Sequence, residues 1–81
     1  MTLVEIEILT DNYAVLTVDG AMFRIDGPFA RGIIDGYRKA VSTPGRRDGG
    51  ILYLRGVVAG MRIGIYEKNL KLMTEAERRG T

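Results

Sequence analysis

The dipeptide Asp19-Gly20 constrains the fold more than any other feature of this chain. Two-residue Asp-Gly loops favour a type I′ turn, because both central residues need positive φ and the turn's twist suits the flanking strands. A turn here sets Val18 opposite Ala21, Leu16 opposite Phe23 and Ala14 opposite Ile25 on one face. Thr17, Met22, Val15 and Arg24 then share the other face. Slipping by one residue would send every apolar side chain to the wrong side, so the alternation sets the register.

Upstream, Val4, Ile6 and Ile8 alternate with Glu5 and Glu7, the pattern of a half-buried strand. A two-residue turn at Asp11-Asn12 would place Glu7 beside Leu16. A three-residue turn at Asp11-Asn12-Tyr13 instead places Ile8 opposite Leu16 and Ile6 opposite Val18, and is preferred. It leaves Glu5 facing Asp19, a mildly unfavourable like-charge pair. Asp26-Gly27-Pro28 then reads as a helix start, with proline where its missing N–H costs nothing. Phe29, Ala30, Ile33, Ile34, Tyr37, Ala40 and Val41 form one apolar stripe of that helix. Gly32 and Gly36, one turn apart, suggest a close approach by another backbone. Residues 42–50, rich in glycine and charge, have pure loop composition.

A second hairpin is expected over residues 51–68, turning at Ala59-Gly60. Leu52, Leu54, Val58, Met61 and Ile65 then face the core, and Tyr53, Arg55, Arg62, Tyr66 and Lys68 the reverse. Leu70–Met73 suggests a last short strand, and Thr74 with Glu77 matches a capping box in a frayed tail over residues 74–81. The expectation is a single α+β domain over residues 1–73. Its antiparallel-dominated sheet has five strands in the order βββ-α-ββ, with one amphipathic helix across it. In element order alone this layout loosely resembles the β-grasp arrangement.

The 81 residues contain no histidine, cysteine or tryptophan. Disulfides, thiol nucleophiles, imidazole acid–base chemistry and the usual zinc ligand sets are therefore excluded. No spacing assembles the remaining Asp, Glu, Lys, Tyr, Ser and Thr into a catalytic constellation, and the glycines match no phosphate-binding fingerprint. The expectation is a protein that is not an enzyme, with no catalytic residues, cofactor or metal. No apolar run approaches the roughly 18 residues that a membrane helix needs, and the N-terminus lacks a basic start. A cytoplasmic address without membrane association follows.

The net charge of +2 averages two unlike regions. Residues 1–27 carry five carboxylates against Arg24 alone, whereas residues 28–81 carry eleven Lys/Arg against five carboxylates. The most specific expected surface is the reverse face of the second hairpin, with Tyr53, Arg55, Arg62, Tyr66 and Lys68, extended by Arg46 and Arg47. Tyr and Arg are enriched at protein interfaces. The first functional expectation is thus a non-catalytic protein-binding module, a regulator, adaptor or inhibitor of the size that phages and mobile elements encode. Its partner would be a larger protein or a second copy in a homodimer. The alternative is a single-stranded nucleic-acid-binding module, in which bases stack on the tyrosines while cations track phosphates. A plain cross-strand Tyr53–Tyr66 pair would explain the same residues without a ligand.

Overall fold

The computed structural model describes residues 3–45, 48–61 and 70–80. In chain order these form β1 (Val4–Thr10), β2 (Tyr13–Val18), β3 (Ala21–Asp26), α1 (Gly27–Val41), α2 (Gly49–Met61), β4 (Leu70–Leu72) and α3 (Glu75–Gly80). The strands make one antiparallel sheet in the order β1-β2-β3-β4. The fold is therefore α+β, with four strands among the described residues rather than the five expected, and more than one helix. The β-grasp order is not reproduced.

The β2–β3 hairpin follows the expected pairing throughout, including Leu16 with Phe23 and Val15 with Arg24. Its turn carries positive φ at Asp19 (49°) and Gly20 (88°), as a type I′ turn requires. The β1–β2 pairing differs from the expected register. Ile6 lies opposite Leu16 and Val4 opposite Val18, and the ladder shifts between Ile8 and Thr10. The turn is thus the shorter one, and an irregularity at Leu9 absorbs the odd residue and returns Ile6 and Ile8 to the core face. Glu5 now faces Thr17 rather than Asp19, which removes the like-charge pair. The Asp19 carboxylate instead accepts the Leu3 N–H at 2.7 Å, and the Asp19 N–H donates to the Leu3 carbonyl at 2.8 Å.

Residues 51–61, expected as a strand and turn, lie within helix α2. Nearly every position from Ile51 to Met61 is apolar or glycine, so periods of 2 and 3.6 fit the segment equally well. Asp48 precedes the helix, and its carbonyl accepts the Leu52 N–H at 2.9 Å. Aspartate just before an apolar run is a helix-start signal, here hidden inside a stretch of loop composition. The other half of the expected hairpin, residues 62–68, lies outside the described residues.

Helices α1 and α2 run antiparallel on one face of the sheet, α1 over β2 and β3, and α2 over β1. Ala30, Ile33 and Ile34 of α1 and Leu54 of α2 join Val4, Ala14, Leu16, Phe23, Ile25 and Leu70 in one buried core. Two glycines let the helices close on each other. A Cβ at Gly36 would overlap the Tyr53 ring, and one at Gly50 would overlap Val41 and come within 2.9 Å of Tyr37. The close approach expected at the Gly32/Gly36 pair thus occurs at Gly36, where the intruder is a side chain. Gly32 faces open space.

The reverse side of the sheet is not bare. Val15 and Met73 are buried (4% and 3% exposed) apart from the main core. Arg24 on that face approaches Glu77 of α3 at 3.6 Å. The Thr74 hydroxyl caps α3, accepting the Glu77 N–H at 3.3 Å and donating to the Glu77 carboxylate at 3.3 Å, so half of the expected capping box is present.

The two glycines of α1 should respond oppositely to alanine. Gly32→Ala, in open space, should raise stability by about 0.5–1 kcal/mol through helix propensity. Gly36→Ala should lower it by about 1–3 kcal/mol, because overpacking against Tyr53 outweighs the same gain. Urea denaturation of both variants measures the signs, and equal effects would contradict the notch.

Candidate functional site

The expected Tyr/Arg sheet face is not what the described residues build. Tyr53 and Arg55 lie on α2, not on a strand. Arg46, Arg47, Arg62, Tyr66 and Lys68 fall outside the described residues. Tyr53 itself is half-buried, its ring seated in the notch at Gly36. That placement gives it a structural task in joining the helices.

What α2 does present is an unusual balance of polarity. Of its 13 residues only Arg55 is charged. A surface helix normally alternates an apolar stripe with a polar one, whereas a helix that is apolar all round is usually enclosed. Here the solvent side holds Leu52, Gly56, Ala59 and Gly60, at i, i+4, i+7 and i+8, all exposed. Leu52 leaves 56% of its surface in water. The remaining three carry at most a methyl group, so the far half of this face is nearly bare backbone. This stripe is missing from the sequence-based expectations because the hairpin register turned Leu52 and Gly56 to the core face and used Ala59 and Gly60 as the turn. Read at 100° per residue, the same letters place them together.

At the N-terminal end of α2, Ala40, Thr43, Gly49, Leu52 and Tyr53 line an open cleft of about 340 Å³. On the flank of α2, the Arg55 Nε is shielded from solvent and has no hydrogen-bond partner among the described residues. A shielded, unpaired N–H of a charged group is costly, and structures tend to supply it with an acceptor. The charges on the neighbouring helix are engaged locally or solvated. Arg38, for example, donates to Asp11 at 3.1 Å, tying α1 to the β1–β2 turn through a largely exposed pair that contributes about 0–1 kcal/mol.

The acidic residues of the sheet separate into two environments. Asp19 is tied to the backbone at Leu3. Glu5 and Glu7 stand exposed on β1. No family model, curated protein or solved structure matches this chain. No described helix is long and apolar enough to cross a membrane.

If Tyr53 serves the helix contact, its truncation should be felt as lost stability. Tyr53→Ala should cost about 2 kcal/mol, discounted from a fully buried aromatic because the ring is half exposed. Tyr53→Phe, which keeps the ring, should change stability by under about 1 kcal/mol. Chemical denaturation distinguishes this from a tyrosine held only for recognition, for which both variants would be as stable as the wild type.

Proposed function

We propose that this chain is a non-catalytic protein-binding module, a regulator, adaptor or inhibitor that acts by occupying a partner's surface. The supporting observation is α2, a helix with a single charged residue whose outer face exposes Leu52, Gly56, Ala59 and Gly60. Apolar surface that lies contiguous and unpolarised is characteristic of a surface covered in the working assembly. Its chemistry suits another polypeptide better than a polyanion, because this face offers Leu52 and bare backbone where a nucleic acid would need cations.

Substitution on that face tests the reading. The wild type and Leu52→Asp/Ala59→Asp, both verified as folded by circular dichroism, are immobilised and exposed to an extract of the native host. The wild type should retain a specific protein that the double variant releases, and identical retention by both would sink the proposal. Sedimentation at micromolar concentration shows whether that protein is a second copy. An oligonucleotide titration at low salt should detect no binding. Binding that weakens steeply with salt and vanishes in Tyr53→Ala would favour the single-stranded nucleic-acid alternative instead.

A further inference from the structure

We propose that the outer edge of β1 is a docking site for an extended strand of another polypeptide, apolar and basic at alternate positions. This rests on the protein-binding reading and names the segment recognised. Among the described residues, β1 is the first strand of the sheet and pairs only with β2. The phase of its free hydrogen bonds follows from one contact. Asp19 N–H donates to the Leu3 carbonyl, so Leu3 and Asp19 are a bonded pair. Bonded and non-bonded pairs alternate along an antiparallel ladder. Glu5 with Thr17 and Glu7 with Val15 are then bonded pairs, and the backbone groups of Val4, Ile6 and Ile8 point away from β2, to an edge that no other described strand pairs.

Helix α2 provides a roof over that edge. Gly50 and Tyr53 face α1 and Leu54 faces the core. At 100° per residue, Ile51, Arg55 and Val58 occupy the flank turned away from α1. Since α1 covers β2 and β3 while α2 covers β1, this flank looks out past β1. Its side chains are half-buried, and the Arg55 Nε there is shielded without an acceptor among the described residues. An added strand would tuck its inward apolar side chains beneath Ile51 and Val58 and offer a backbone carbonyl to Arg55. Strand addition of this kind draws affinity from main-chain hydrogen bonds and specificity from alternate side chains.

Charge selects the occupant. Glu5 and Glu7 lie on the opposite face of the same edge, exposed and without an ion pair among the described residues. Lysine or arginine on the outward positions of the incoming strand would sit beside them. A second copy of β1 would bring its own glutamates to that face, where like charges oppose pairing. The irregularity at Leu9 ends the straight edge, so the docked segment spans Val4 to Ile8.

Amide hydrogen exchange followed by NMR tests this with an acetylated, amidated Lys-Val-Lys-Val-Lys-Val peptide. In the free protein the Glu5 and Glu7 amides should be protected and the Ile6 and Ile8 amides open. Saturating peptide should protect Ile6 and Ile8 and leave Glu5 and Glu7 unchanged. Glu5→Lys/Glu7→Lys should weaken the peptide about tenfold, from two cross-strand charge pairs, and should favour a Glu-Val peptide instead. Ile6 and Ile8 amides already protected in the free monomer would overturn the proposal, as would peptide binding indifferent to the charge swap. Protection that appears only with self-association would assign the edge to a second copy and equally overturn it. A negative peptide result beside intact partner capture refutes strand docking alone, whereas loss of both refutes the protein-binding reading.

Discussion

The contact between α1 and α2 through Gly36 and Gly50 organises everything above the sheet. Each glycine removes a side chain where the opposing helix brings a large one, Tyr53 at Gly36 and Val41 with Tyr37 at Gly50. Because the helices meet this closely, both fit over a narrow sheet, α1 on β2 and β3 and α2 on β1. Leu54 reaches full burial as a result. If the second helix stood further off, Val4 on β1 would lose cover that α2 supplies. A domain this small has little apolar area to spare. The loss of helix propensity at two glycines, about 1 kcal/mol each, is offset by the burial their absence of side chains permits.

Below the helices, parity rather than turn preference governs the sheet. The β1–β2 loop has two residues at its tip, and an unbroken ladder from it would turn Ile6 and Ile8 to solvent. One irregular residue at Leu9 costs a ladder position and corrects the face of every residue before it. Burial of Val4 and partial burial of Ile6 and Ile8 outweigh that local loss. The same shift moves Glu5 from Asp19 to Thr17 and leaves the Asp19 carboxylate to hold the Leu3 N–H. Turn geometry, side-chain face and charge thus settle on one register together.

The legible and illegible parts of this chain divide along physical lines. The β2–β3 hairpin was readable because two signals agreed, positive-φ residues at the turn and strict alternation on both sides. Helix α1 was readable because its polar and apolar residues occupy opposite arcs. Its stripe was nonetheless overdrawn, since Phe29 and Val41 remain exposed at the helix ends. Helix α2 was not readable by pattern, because a segment with one charge has no polar residues to mark its period. The discriminating information lay elsewhere, in Asp48 as a helix start and in Gly36 as a slot waiting for a ring. Neither is visible from the segment itself, because both acquire meaning from the element they pack against. The candidate surface was misplaced for the same reason, since assigning a strand to Ile51–Val58 turned Leu52 and Gly56 to the core face and left Ala59 in the turn.

That failure also bears on what α2 is for. A polar outer face would have stabilised α2 as a surface helix and made it easy to recognise, at no cost to the core beneath. Glycine at positions 56 and 60, open to solvent with nothing within 4 Å, weakens the helix without easing any contact inside the molecule. Packing among the described residues explains Gly36 and Gly50 and places nothing against these two. The features that made the segment ambiguous in sequence, absent charge and surplus glycine, are therefore ones that no contact among the described residues requires. On the protein-binding reading proposed above, the close approach that Gly36 and Gly50 allow within the chain is extended, at Gly56 and Gly60, to a neighbour outside it.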